Sequence, residues 1–170
     1  MRGYIALVFF LILAAAPVNV SAEDSSFYNQ RGLDELQIGN LEAATGFFLK
    51  AISIDSSQKH YYNNLAAAYI RLCEYAKAEE NLKKSLSIDA NYVKALANMS
   101  VTLFYLGRYR ESYVYYIKSK RIDNKYIEER FDKGRVSSSI KKMSLERPDD
   151  KELNKIQKYL DSNFLLQSGD

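Results

Sequence analysis

Small and apolar side chains recur along this chain with a period of 34 residues and no gaps. The tripeptides Ile54-Asp55-Ser56, Ile88-Asp89-Ala90 and Ile122-Asp123-Asn124 mark the period. Three columns hold small residues: Gly32, Ala66 and Ser100; Ala44, Ala78 and Ser112; Ala51, Ser85 and Ser119. Two columns hold large apolar residues: Phe48, Leu82 and Tyr116; Ile38, Leu72 and Leu106. Such a period predicts stacked copies of one supersecondary unit.

Each unit is predicted to contain two helices, because its apolar and small residues are spaced by three and four. The first helices are predicted over Tyr28–Ile38, Tyr62–Leu72 and Leu96–Leu106, and the second over Glu42–Ile54, Ala76–Ile88 and Arg110–Ile122. Turns are predicted at Gly39-Asn40, Cys73-Glu74 and Gly107-Arg108. Glycine adopts the left-handed helix stop easily, whereas Cys73 must do so without that freedom. Each pair has an apolar face that it cannot bury alone, so the pairs are predicted to stack.

The columns resemble the tetratricopeptide repeat (TPR), with its pattern W-x2-L-G-x2-Y, A-x3-F and a closing Pro. The middle unit matches best, through Tyr62, Leu65, Ala66, Tyr69, Ala78 and Leu82. The first unit matches at Tyr28, Gly32, Ala44 and Phe48, and the third at Leu96, Met99, Ser100, Leu103, Gly107, Ser112 and Tyr116. No unit has the closing proline; Ser56, Ala90 and Asn124 stand there. The resemblance implies an all-α solenoid of three helix-turn-helix units, at about residues 25–58, 59–92 and 93–126.

The period fades after Lys125. A seventh helix is predicted to carry Ile127, Phe131, Ile140 and Met143, and Pro148-Asp149-Asp150 predicts the start of an eighth with Leu153, Ile156 and Leu160 on its apolar face. Residues 126–163 are interpreted as a degenerate fourth unit, a capping helix pair that closes the stack. A separate interaction arm is the alternative. Residues 164–170 are expected to form a frayed tail.

The first 22 residues have the features of a secretion signal. Met1-Arg2 is followed by an apolar run from Tyr4 to Ala16, and Val20-Ser21-Ala22 offers a cleavage site of small residues. The run is shorter than the roughly 20 residues that a membrane-spanning helix needs. The mature protein is therefore expected outside the cytoplasm, periplasmic or secreted; an uncleaved signal that anchors the chain is the alternative.

Residue counts argue against catalytic and metal chemistry. The chain has one cysteine and one histidine, which excludes an intrachain disulfide, a cysteine-based zinc site and a histidine-pair metal site. Neither His60 nor Cys73 has a catalytic partner in its local sequence, and no phosphate-binding glycine loop or nucleophile elbow occurs. The sequence therefore predicts no enzyme, no cofactor and no metal.

Charge is distributed unevenly along the chain. Residues 23–57 carry two basic and six acidic side chains, whereas residues 108–158 carry 15 basic and nine acidic ones. Because acidic residues interrupt the basic half, it is interpreted as a solvated helical surface. Nucleic-acid binding is not expected, and contact of the basic half with a membrane surface is a weaker alternative.

The TPR resemblance implies that the first helices line a concave groove that receives a peptide or helix of a partner protein. The inward positions carried over from the family are Asn29, Leu33, Leu36, His60, Asn63, Asn64, Ala67, Ile70, Arg71, Lys94, Ala97, Asn98, Val101, Phe104 and Tyr105. The asparagines are expected to bond a peptide backbone, Arg71 and Lys94 to hold a carboxylate, and the large apolar residues to contact side chains. The alternative for these apolar residues is that they pack against neighbouring helices or the capping helix. Only Asn64 and Lys94 match the clamp with which some relatives grip a peptide C-terminus, so that activity is not inferred.

Two functions follow from these observations. The first is an adaptor of the cell envelope that binds a partner protein in the groove. The alternative is a structural subunit that self-associates through the ends of the stack or through Cys73.

Overall fold

The computed structural model describes residues 24–165, and within them every regular element is a helix. The predicted signal peptide and residues 166–170 of the predicted tail lie outside these residues. Helices α1 to α6 form three consecutive hairpins, followed by three further helices. Their bounds are α1 Ser25–Ile38, α2 Leu41–Ile54, α3 Lys59–Arg71, α4 Tyr75–Ile88, α5 Val93–Tyr105, α6 Tyr109–Ile122, α7 Asn124–Arg130, α8 Lys133–Glu146 and α9 Lys151–Leu165. The six helices predicted from the period are confirmed, and α9 continues two residues into the segment expected to fray.

The three hairpin turns share one geometry. Gly39 and Gly107 have φ angles of 90° and 78°, and Cys73 takes the same left-handed conformation at φ 60°. In each turn the following backbone N–H donates to a carbonyl five residues earlier, as in Glu74 N to Tyr69 O at 2.9 Å. This bond satisfies a carbonyl at the helix end and reverses the chain in two residues. The Cys73 turn therefore closes as the glycine turns do, although a cysteine pays a steric cost for that conformation.

The small-residue columns lie where the helices of a hairpin approach most closely. Ala44, Ala78 and Ser85 are completely buried. Gly32 shows how tight the packing is, because a Cβ atom placed there would lie 2.5 Å from the ring of Phe48, which is itself fully buried. A side chain at position 32 would therefore force the ring to move.

Apolar side chains from neighbouring units share their cores. Ala44 and Phe48 of the first unit pack with Leu65 and Ala68 of the second. Leu82 of the second unit likewise belongs to a cluster with residues of the third, completed by Ala66, Ala78, Ala95, Met99 and Leu103. Each hairpin thus buries its apolar face against the next, as the stacking prediction requires.

The single seventh helix predicted from the sequence is replaced by two helices. Phe131 leaves helical geometry (φ −105°, ψ 59°), and α8 starts at Lys133. The break lets the Phe131 ring pack on Tyr116 of α6, with centroids 5.6 Å apart, while Ile140 and Met143 of α8 join a separate cluster with Leu153 of α9. One straight helix cannot serve both contacts, and the apolar spacing alone did not reveal the break.

Candidate functional site

Helices α1, α3 and α5 lie side by side, and a row of asparagines joins them. Asn64 Nδ2 donates to Asn29 Oδ1 at 2.9 Å, and Asn98 Nδ2 donates to Asn63 Oδ1 at 2.9 Å. Asn63 Nδ2 donates to Asn64 Oδ1 at 3.4 Å and connects the two pairs. Arg130 of α7 extends the row by donating to Asn98 Oδ1. Both 2.9 Å bonds join residues 35 positions apart, so the row follows the stacking of the units.

This row changes the role predicted for the asparagines. Asn29, Asn63 and Asn98 are buried, and Asn64 is half-buried. The sequence predicted that Asn63, Asn64 and Asn98 bond a peptide backbone, but in this structure they bond one another. They satisfy polar groups between the helices and fix the register of one unit on the next.

Several apolar residues predicted to contact a ligand instead contact the chain itself. Leu33 and Leu36 pack against the core shared by the first two units, and Ala97 is completely buried. Phe104 and Tyr105 pack against the cluster of Ile140, Met143 and Leu153, so α8 and α9 cover them. The sequence left open whether the capping helices cover these residues, because those helices lie outside the repeat.

The predicted groove residues that remain open to solvent form a smaller surface, called here the inner strip. Its members are His60, Asn64, Ala67, Ile70 and Val101, which are half-buried, and Arg71 and Lys94, which are exposed. Lys94 forms no hydrogen bond or ion pair within residues 24–165, whereas Arg71 donates to the Leu36 carbonyl. The strip therefore combines apolar surface with one uncommitted ammonium group, a composition suited to a peptide with a carboxylate.

His60 lies in positively charged surroundings. Partial burial lowers its pKa below the usual 6.5, the charges of Lys59 and Lys94 lower it further, and Asp55 acts in the opposite direction. The imidazole is therefore neutral near pH 7 and can both donate and accept a hydrogen bond.

A surface depression of about 460 Å³ continues the inner strip beyond α5. Val101 lines it together with Tyr126, Glu129, Arg130 and Phe131. The sequence did not select the last four, because they follow the point where the period fades. In the sequence, this depression is indicated only by the aromatic and charged residues that lie close together around Ile127 in the predicted seventh helix.

Among the described residues, one thiol and two phenols have surroundings that bear on their reactivity. Across residues 24–165, no three His, Cys, Asp or Glu side chains are arranged to hold a metal ion. Cys73 is exposed and unpaired with another cysteine. Burial and the neighbouring Cys73 raise the pKa of Tyr75, and burial beside Asp150 raises the pKa of Tyr109 to about 12, so both phenols stay protonated at neutral pH. In the same residues, no helix is both long and apolar enough to cross a bilayer.

The repeated hairpins and the shared inner face define a helical-repeat protein of the TPR class, and solved TPR domains resemble it throughout the stack. The model of the coatomer epsilon subunit family, a TPR-like family, matches residues 47–134, more than half of the chain. The chain belongs to that family. No curated protein matches the sequence.

Three solved structures illustrate the likeness. The Arabidopsis OM64 TPR domain is 26% identical, with a TM-score of 0.59, over 64% of this chain and 93% of that domain. The Sgt2 TPR domain from Aspergillus fumigatus is 21% identical, with a TM-score of 0.60, over 72% and 82% of the two chains. The second TPR domain of human RPAP3, in complex with an HSP70 peptide, is 22% identical, with a TM-score of 0.55, over 58% and 82%. The all-α solenoid predicted from the sequence is confirmed, and proteins of this fold are generally interaction modules rather than enzymes.

Proposed function

We propose that this protein is an adaptor of the cell envelope that binds a peptide or helix of a partner protein on the inner strip. The observation that carries the proposal is the position of Lys94, a cation without a hydrogen bond or ion pair in the described residues, on the same face as the partly open Ile70 and Val101. The peptide complex of the similar human RPAP3 domain supports this mode of action.

The inner strip favours a peptide that presents apolar side chains together with a carboxylate. Ala67, Ile70 and Val101 offer shallow apolar contacts. Complete burial of an exposed Val or Ile side chain contributes roughly 1.5–3 kcal/mol, and these half-buried residues contribute less. Lys94 is placed to pair with a carboxylate, and the neutral His60 to hydrogen-bond a peptide group. The asparagine row behind these residues keeps the three helices in register, so the surface is formed before the ligand arrives. The protein would therefore act by binding rather than by catalysis.

The envelope location rests on residues 1–22, whose composition is that of a secretion signal. Cell fractionation followed by N-terminal sequencing tests it. A mature chain that starts near Glu23 in the extracytoplasmic fraction supports the location, and an intact chain in the cytoplasm contradicts it.

Photo-crosslinking from Ala67 tests the binding site. A photoreactive amino acid at position 67 is expected to trap one partner protein in cells. The same amino acid at Gly46 serves as the control, because Gly46 lies in the middle of α2 and a side chain there would meet no packed neighbour within 4 Å of its Cβ atom. The trapped segment of the partner should then bind the purified protein and lose affinity in Lys94→Glu. Equal crosslinking from both positions, or unchanged binding by Lys94→Glu, contradicts the proposal.

Self-association is a second candidate, because α1 leaves apolar side chains open at the end of the stack. Phe27 is 50% and Ile38 is 76% exposed. Light scattering at two protein concentrations tests this function. A mass that rises with concentration and falls back to the monomer in Phe27→Ser with Ile38→Ser supports it, and a constant monomer mass excludes it.

A further inference from the structure

Helix α6 packs one face into the stack and exposes apolar side chains on the opposite face. Ser112, Tyr115 and Ser119 point toward the core shared with α5. Residues at spacings of three and four on the opposite side form a second stripe, called here the outer patch, which consists of Arg110, Tyr113, Val114, Ile117 and Arg121. Tyr113 and Val114 are each 64% exposed, and Ile117 is half-buried.

The repeat itself does not require an apolar outer patch. In the same columns α4 carries Glu79, Glu80 and Lys83 where α6 has Tyr113, Val114 and Ile117. These α4 side chains form surface ion pairs, Glu79 with Lys83 at 2.7 Å and Glu80 with Lys84 at 2.8 Å. The apolar character is therefore specific to α6 and is not part of the packing that the units share.

The C-terminal helices leave the patch open. Helix α7 contacts α6 along its edge, where Phe131 packs on Tyr116 and Lys120 pairs with Glu128 at 3.4 Å. Helices α8 and α9 pack at the other end, against Phe104, Tyr105 and Tyr109. The Tyr113 ring lies 6.4 Å from that of Tyr116, so the exposed apolar surface is continuous with the covered one.

Two arginines bracket the patch without a partner. Arg110 precedes Tyr113 by about one turn, and Arg121 follows Ile117 by about one turn. Neither forms a hydrogen bond or ion pair with any described residue. Arg108, by contrast, bonds both Glu79 and Glu111. Arg110 and Arg121 are 11 positions apart in the sequence, which corresponds to about 16 Å along the helix axis.

We propose that the outer patch docks an amphipathic helix of a partner protein, with carboxylates about 16 Å apart at the two ends of an apolar stripe. The unpaired arginines select acidic ends, and Tyr113, Val114 and Ile117 take the apolar stripe between them. An anionic bilayer fits less well, because the neighbouring α4 exposes Glu80 on the same side of the stack. This site is separate from the inner strip and does not depend on the proposed function.

The test uses two synthetic helical peptides held in shape by a side-chain staple. Both carry Leu along one face, and one ends that face with Glu at positions eleven residues apart, where the other has Lys. Binding to the full chain is measured by fluorescence anisotropy. The acidic peptide is expected to bind at least about tenfold more tightly than its Lys counterpart, and to weaken as salt rises.

Variants locate the site. Arg110→Glu with Arg121→Glu should reverse the preference between the two peptides, and Tyr113→Ser with Val114→Ser should reduce the affinity for the acidic peptide at least about tenfold. Leu49→Ser is the matched control, because Leu49 is 50% exposed in the column of Ile117 but lies on α2. It should leave binding unchanged, and circular dichroism verifies that every variant is folded.

Four results would overturn the proposal. The first is an equal loss of affinity in Leu49→Ser, the second is no preference between the peptides, and the third is no binding of either peptide up to about 1 mM. The fourth is a dimer in sedimentation that Tyr113→Ser dissociates, because a second copy of the chain would then occupy the patch. Co-sedimentation with anionic vesicles that is lost in the same variant, without peptide preference, would assign the patch to a membrane surface instead.

Discussion

At the scale of single residues, Gly32 packs closely against one side chain, that of Phe48. The Phe48 ring occupies the space that a side chain at position 32 would need. Gly46, only two residues before Phe48, has no atom within 4 Å of the corresponding position. The hairpin therefore has no room for a side chain at Gly32 in α1 but has room for one at Gly46 in α2.

Gly32→Ala is expected to destabilise the protein, and Gly46→Ala to stabilise it. The first adds overpacking of about 1–3 kcal/mol, only partly offset by about 1 kcal/mol of helix propensity. The second gains about 0.5–1 kcal/mol of propensity without a clash. Urea unfolding followed by circular dichroism measures both, and a stabilising Gly32→Ala would show that the ring is free to move.

The asparagine row carries a second prediction at this scale. Asn98→Ala removes the donor to Asn63 and the acceptor for Arg130 in one step. Because Asn63 is buried, its unpaired oxygen should cost about 1–3 kcal/mol of unfolding free energy. A double-mutant cycle with Asn63→Ala isolates the pair, and strictly additive losses would mean that the two amides do not interact.

His60 makes stability depend on pH. Its pKa is lower in the folded chain than in the unfolded one, so the unfolded state takes up the proton first as pH falls. The stability that a neutral His60 provides is present above about pH 6.5 and is lost as pH falls below it. His60→Gln should therefore lose less stability than the wild type between about pH 7.5 and 5.5. Identical losses in urea unfolding at the two pH values would contradict this assignment.

At the scale of helices, the C-terminal pair is attached through aromatic contacts. Phe104 and Tyr105 pack under α8 and α9, Arg147 donates to the Tyr105 carbonyl at 3.2 Å, and Tyr109 donates to Asp150. These contacts join α8 and α9 to the third unit.

Phe104→Ala should loosen α8 and α9 selectively. Phe104 is half-buried, so the expected loss is about 2 kcal/mol, below the 3–5 kcal/mol of a fully buried aromatic. Hydrogen exchange is expected to rise in α8 and α9 and to stay unchanged in α1 to α4. A uniform increase along the chain would show that these helices unfold only with the whole stack.

Helix bounds and turns could be predicted from the sequence because a strict period places equivalent residues in equivalent surroundings. Cys73 was placed in a left-handed turn only because Gly39 and Gly107 occupy its column. The pairing of Asn63 with Asn98 could not be predicted in the same way, since it depends on which faces of α3 and α5 meet. The break at Phe131 was also missed, because it is set by contacts with Tyr116 and α9 rather than by local spacing.

For the candidate site, the sequence predicted which residues lie on the inner helices, but not which of them stay accessible to solvent. Lys94 is exposed and Ile70 is half-buried on the inner strip, whereas Phe104 packs against helices outside the repeat. Which inner residues stay accessible depends on how the chain closes the stack, and the fading period after Lys125 carried little information on that closure.

At the scale of the molecule, the stack presents two surfaces for which we propose separate uses. The inner strip is backed by the asparagine row and includes the ammonium group of Lys94, which pairs with no described residue. The outer patch lies on the opposite side of the third hairpin, with Tyr113 and Val114 exposed between two arginines that also pair with none of the residues the structure describes. Two distinct surfaces on a rigid support are what an adaptor requires, because two partners can then be held together.

Chemical-shift mapping tests the central claim most directly. The isotope-labelled chain is titrated with the partner segment that crosslinks to position 67. Shifts concentrated at Asn64, Ala67, Ile70, Lys94 and Val101, and absent in Lys94→Glu, are the predicted result. Shifts confined to α2 and α4, with the inner strip unchanged, would contradict the claim that the inner strip binds the partner.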